Sequence, residues 1–61
     1  MPEDPQMRKL SQAIRLKAGE VNEWRNTTAA RRAGLVRLAD WHERNAEDFR
    51  ALSNELLYHT P

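Results

Sequence analysis

The sequence contains no cysteine, so no disulfide holds this fold together. Its two histidines, without a thiolate, leave a structural zinc site short of its usual ligands. A chain of 61 residues forms one small domain, and such a domain buries only about 60% of the surface that its unfolded chain exposes. Oligomerisation, or an unusually well-packed core, then has to supply the missing stability. We therefore expect a single self-associating domain over residues 1–61, with frayed ends at 1–4 and 59–61.

Long apolar runs are also absent, since no stretch approaches the ~20 residues of a membrane span. The first five residues are polar and rigid, and they do not resemble a secretory leader. We expect a cytoplasmic protein without membrane contact.

Catalytic constellations are equally scarce. Glu43, Glu47 and Asp48 supply carboxylates, and His42 and His59 supply imidazoles, but no nucleophile comes with a base and an orienting group. The sequence predicts no catalytic residues, no cofactor, no metal and no small-molecule substrate, and hence no enzyme.

What the chain does have is one apolar register at alternating three- and four-residue steps, which is typical of an amphipathic α-helix. It is interrupted twice, at Thr28 with Arg31 and at His42 with Asn45. The expected fold class is therefore all-α, with Trp24 in the core. The register comprises Met7, Leu10, Ile14, Val21, Trp24, Leu35, Leu38, Phe49, Leu52 and Leu56.

Helix ends can be predicted from capping residues. Asp4-Pro5 has the form of an N-cap followed by proline at the first helical position. Asn26-Thr27-Thr28 favours a turn, because these side chains compete for backbone hydrogen bonds. We predict a hairpin of helices at about 5–25 and 28–58. The alternative is a compact three-helix bundle with a break near Asn45, which would cap a third helix.

The predicted turn at Thr27 would leave residues beyond about 50 without a partner on their own chain. Exposed apolar side chains there would each forgo about 1.5–3 kcal/mol of burial. We therefore expect a homodimer, a four-helix bundle in which a second copy covers this overhang. The predicted partner or dimer interface consists of Trp41, Phe49, Leu52, Leu56, Leu57 and Tyr58.

Charge is nearly balanced overall, with a formal net charge of +1, but unevenly placed. No acid occurs between Asn26 and Ala39, whereas residues 45–61 carry three acidic residues and one basic residue. This pattern permits a nucleic-acid partner, or self-association of the basic middle with the acidic tail of another copy. The alternative is a solvated helical face. The possible nucleic-acid contacts are Arg31, Arg32 and Arg37, with Arg15 and Lys17 on the facing helix.

The polar positions His42 and Asn45 have two interpretations. They form either a polar layer that fixes register, with a pH-sensitive imidazole, or a helix junction.

Two resemblances are visible. The layout of helix, short polar turn and second helix, with Asn45-Ala46-Glu47-Asp48-Phe49-Arg50, resembles the small plasmid RNA-binding hairpins of the Rop family. That resemblance implies a dimeric four-helix bundle that holds paired RNA loops on one face. The segment from Thr28 to Leu35, with Trp41-His42 and Glu47-Asp48-Phe49, resembles the helix-turn-helix of TetR-like DNA-binding domains, although Asp40 replaces an apolar residue. Neither resemblance assigns the chain to a family or carries a binding residue across.

The leading functional prediction is a small non-enzymatic regulator or inhibitor that presents a helical face to a larger protein, of a size compatible with a phage or plasmid accessory protein. The alternative is a small DNA- or RNA-binding helical regulator that uses the arginine-rich middle segment.

Overall fold

Two long helices make up the fold in the computed structural model, which describes residues 4–58. Helix α1 spans Pro5–Arg32 and helix α2 spans Val36–Tyr58. Contacts between Gly19 and Phe49, and between Lys17 and Asn54, show that the helices pack antiparallel as a hairpin. The Cα atoms extend over 49 × 25 × 10 Å, the shape of a single layer of two helices. The all-α hairpin predicted from the sequence is thus confirmed.

The start of α1 is confirmed at Asp4. Its carboxylate accepts a hydrogen bond from the backbone N–H of Gln6 at 3.0 Å, and Pro5 occupies the first helical position. Asp4 therefore serves as the N-cap of α1. Residues 1–3 and 59–61, which include His59, lie outside the described residues.

The predicted turn at residues 26–28 is wrong. Thr27 and Thr28 both lie within α1, where their hydroxyls donate to the carbonyl oxygens of Glu23 and Trp24, four residues earlier, at 2.8 and 3.1 Å. These bonds satisfy the hydroxyls without breaking the helix, and Thr27 is buried against α2.

The turn lies instead at Gly34, seven residues further on. Gly34 adopts φ +77°, a left-handed conformation that side chains disfavour. The N–H of Leu35 donates to the carbonyl of Ala30, and that of Gly34 to the carbonyl of Arg31. This pair of bonds is a Schellman motif, which ends α1 and satisfies its last carbonyl groups.

The later turn removes the predicted overhang. Leu57 lies beside Met7 and Leu10, near the start of α1, so the end of α2 packs on its own chain. Helix α2 also continues through Asn45 without a break, so the described residues do not form the third helix of the alternative fold. The helix bounds 5–25 and 28–58 are therefore corrected to 5–32 and 36–58.

The seam between the helices is built from small side chains. In α2 the buried positions Ala39, Ala46 and Ser53 recur every seven residues, the spacing of an antiparallel coiled coil. In α1, Ala13, Thr27 and Ala30 are buried. Small side chains let the two backbones approach closely, and the ring of Phe49 lies directly against the backbone of Gly19. The large apolar residues of the predicted stripe are therefore mostly excluded from the seam.

Candidate interaction surface

Polar side chains occupy part of the seam that an ordinary core would fill with leucine. The Nδ1 atom of His42 lies 2.6 Å from Oε2 of Glu23, and the side chains are only 16% and 18% exposed. Because a carboxylate can only accept, the imidazole donates this hydrogen bond. The amide of Asn45 donates a longer bond of 3.5 Å to the same oxygen. Of the two interpretations of His42 and Asn45, the structure favours a polar layer inside a continuous helix.

A second polar group surrounds Glu20. The indole N–H of Trp24 donates to Oε2 of Glu20 at 3.0 Å, and Nζ of Lys17 lies 3.5 Å from the other carboxylate oxygen. Lys17 also reaches across to Oδ1 of Asn54 at 3.4 Å. The hydrogen bond from Trp24, followed by the charge of Lys17, lowers the pKa of Glu20 below its ordinary value of 4.5. Trp24 is thus half-buried and held by a specific polar contact.

This arrangement predicts a pH effect that nuclear magnetic resonance can measure. A carboxyl group whose pKa is lowered in the folded state stabilises the fold above about pH 4.5, and this contribution is lost as the pH falls through the lowered pKa. We expect Trp24→Phe, which removes the indole donor, to raise the pKa of Glu20 toward its ordinary value. The variant Trp41→Phe is the control, since Trp41 makes no contact with Glu20, and an equal shift in both variants would contradict the assignment.

Large apolar residues on α1 form the first exposed surface, which we call the α1 face. Ile14 follows the buried seam residue Ala13 by one position, and the other members lie one or two helical turns from Ile14, so the row points sideways from the seam. Ile14 is 60% exposed, although it shares the apolar register of Trp24. The α1 face consists of Met7, Leu10, Ile14 and Val21.

A second exposed surface, the α2 face, lies on the opposite side of the layer. Leu38, Asn45 and Leu52 each precede a buried seam residue by one position, and Trp41 lies beside them at 57% exposure. Since α1 and α2 run antiparallel, residues that follow the seam in one helix and residues that precede it in the other lie on opposite sides of the layer. One continuous apolar register in the sequence therefore produces two apolar faces.

The residues predicted to form a partner or dimer interface separate into two groups. Phe49, Leu56 and Leu57 are half-buried between the two helices. Trp41, Leu52 and Tyr58 are exposed on α2. The α1 face was missed because its residues share the register of the predicted core. The seven-residue spacing of Ala39, Ala46 and Ser53 is the sequence signal that could have revealed the true seam.

The structure does not bring the predicted arginine cluster together. Arg15 and Lys17 lie on the same helix as Arg31, with Arg15 about 24 Å from it at 1.5 Å per residue, and not on a facing helix. Arg31 pairs with Glu43 at 3.1 Å across the seam. Arg32 and Arg37 are exposed on either side of the turn.

Other kinds of site find no support in the part of the chain that is described. Within residues 4–58, no three histidine or acidic side chains lie close enough to hold a metal ion. Neither α1 nor α2 has an apolar stretch long enough to cross a membrane. The helix-turn-helix resemblance is not realised, because Gly34 joins two long antiparallel helices. Comparison of the chain with protein-family models, curated proteins and solved structures finds no match.

Proposed function

We propose that this chain is a non-enzymatic, dimeric helical protein that regulates or inhibits a larger protein by binding it through the α1 face. The observation that carries the proposal is the small-residue seam, which leaves four large apolar side chains of α1 about half exposed or more. Clusters of large exposed apolar side chains are a mark of protein-interaction sites. The proposal retains the cytoplasmic location expected from the composition.

The charge of α1 indicates the kind of partner. This helix carries seven basic residues and only two acidic ones. An apolar row flanked by lysine and arginine fits a partner surface with apolar pockets and acidic edges, because complementary charges speed association and exclude partners of like charge. The expected partner is therefore an acidic protein surface.

Site-specific photo-crosslinking in cells that naturally produce the chain tests this proposal. A benzophenone amino acid in place of Ile14 should crosslink to one larger protein, and Val21→Asp in the same chain should abolish that product. The control position is Asn22, which is exposed and lies about 100° around α1 from Val21. Purified partner should then change its activity when one equivalent of the chain is added. Identical products from positions 14 and 22, or no product other than the chain itself, would refute partner binding through this face.

A second candidate function is nucleic-acid binding by the arginines near the turn. It is favoured by the absence of acid between Asn26 and Ala39 and by the exposure of Arg32 and Arg37. Binding to duplex DNA or to paired RNA loops should then weaken steeply with salt and disappear in the variant with Arg32→Glu and Arg37→Glu. A mobility-shift assay at low salt that shows no complex would eliminate this function.

A further inference from the structure

We infer that the α2 face is covered by a second copy of this chain, with the two α2 helices antiparallel and a two-fold axis beside Ala46. This inference rests on the dimer in the proposed function and assigns the surface that forms it. Helix α2 exposes Leu38, Trp41 and Leu52 in one row, with the amide of Asn45 between them. A closed dimer must pair the same surface of both copies, so this row has to complement itself.

The charges of α2 provide that self-complementarity. Arg37 lies nine residues before Ala46 and Glu55 nine residues after it, while Arg44 and Asp48 lie two residues before and after. In an antiparallel pair centred on Ala46, each arginine therefore lies opposite a carboxylate of the second copy, and each of the two pairs occurs twice.

The apolar residues and Asn45 fit the same arrangement. Trp41 lies five residues before Ala46 and Leu52 six residues after it, so the indole of one copy packs near the leucine of the other. Tryptophan is among the residues that contribute most at protein interfaces. Within the described residues, Asn45 makes only its 3.5 Å bond to Glu23, so its amide oxygen is available near the axis. A layer of 49 × 25 Å is large enough for the roughly 800 Å² that each partner buries in a stable interface.

The charges around the α1 face are not self-complementary. Two copies of α1 placed side by side would bring seven basic residues of one helix against seven of the other. Lys17, near the middle of the row, would lie close to its own symmetry mate or to Arg15 of the second copy. Helix α2 has three basic and five acidic residues. On its outward face, Arg37 and Arg44 lie in the first half, and Asp48 and Glu55 lie in the second half. Self-association therefore uses the α2 face and leaves the α1 face for a different protein.

Charge reversal tests the antiparallel arrangement. One variant carries Arg37→Glu and Arg44→Glu, and the other carries Asp48→Arg and Glu55→Arg. Four repulsive contacts replace four attractive ones in each homodimer, so we expect the dissociation constant to rise about tenfold or more. An equimolar mixture restores every pair and should form a heterodimer by sedimentation or native mass spectrometry. Parallel helices would place Arg37 against Arg37 in the unmodified dimer, and each variant alone would then associate as well as the unmodified chain.

The absence of cysteine allows a second, independent test. Asn45→Cys, close to the inferred axis, should give a disulfide-linked dimer under mild oxidation, whereas Asn22→Cys on α1 should not. A dimeric mass with no crosslink at position 45, or equal crosslinking at 45 and 22, overturns the assignment to α2 while the dimer itself stands. A monomeric mass at millimolar concentration overturns both. The photo-crosslinking at Ile14 reports separately on the larger partner.

Discussion

Replacing Ala46 by leucine is expected to lower the free energy of unfolding of the hairpin by roughly 1–3 kcal/mol, the usual cost of adding methylene groups to a packed core. Ala46 has no accessible surface and lies at the middle of the small-residue seam. Three extra carbon atoms there force the two helices apart. The hydrogen bonds that His42 and Asn45 donate to Glu23 would then break. Urea unfolding followed by circular dichroism measures the effect.

The matched control is Ala18→Leu, because Ala18 is exposed on α1 and alanine and leucine have similar helix propensity. Exposed substitutions of this kind change stability by about 0.5 kcal/mol or less. A loss confined to Ala46→Leu would support the close approach of the helices. Equal effects of the two substitutions would contradict the structure of the seam.

Substituting Gly19 by alanine is the second large expected effect. Alanine normally stabilises a helix interior by about 1 kcal/mol relative to glycine. Here a Cβ atom on residue 19 would lie 2.9 Å from both Cε1 and Cζ of Phe49, so the ring or the helix must move. Overpacking of this kind costs about 1–3 kcal/mol, and we expect a net loss of roughly 1 kcal/mol in the free energy of unfolding.

A double-mutant cycle separates the two terms. In the background of Phe49→Leu, which removes the ring, Gly19→Ala should become neutral or stabilising, with a coupling free energy of about 1–2 kcal/mol. Chemical unfolding of all four chains supplies the cycle. If Gly19→Ala stabilised the unmodified protein by the full helix propensity, the contact between Phe49 and the backbone of α1 would be refuted.

Each of the two apolar faces has its own proposed role, self-association for the α2 face and binding of a larger protein for the α1 face. Helix α2 carries both charge signs in separate halves, which suits pairing with a second copy. Helix α1 is strongly basic and carries the longer apolar row, which suits an acidic protein. In the proposed dimer the two α1 faces point outward, so one dimer would offer two equivalent binding surfaces to its partner.

Local features of the sequence predicted the secondary structure well. The helical periodicity predicted an all-α chain, and Asp4-Pro5 predicted the first residue of α1. The predicted position of the turn is wrong because Asn26-Thr27-Thr28 has the composition of a helix break. In the structure their hydroxyls bond to carbonyl groups inside the helix, and the left-handed Gly34 ends α1. Both Asn26-Thr27-Thr28 and Gly34 could end the first helix. The packing of Thr27 against α2 favours Gly34, and this tertiary contact is not visible in local helix propensity.

Periodicity and capping residues are enough to predict that the chain is helical, where α1 begins, and that the apolar residues share one continuous register. Which side of each helix is buried depends on how the two helices pack against each other. Small residues such as Ala39, Ala46 and Ser53 allow the backbones to approach closely, and close packing along the seam excludes larger side chains. In α1 the exposed register residues follow the seam, as Ile14 follows Ala13, whereas in α2 they precede it, as Leu38 precedes Ala39. The two parts of the register therefore lie on opposite sides of the antiparallel layer. For this physical reason, residues that a periodicity pattern assigns to the core become the candidate binding surfaces.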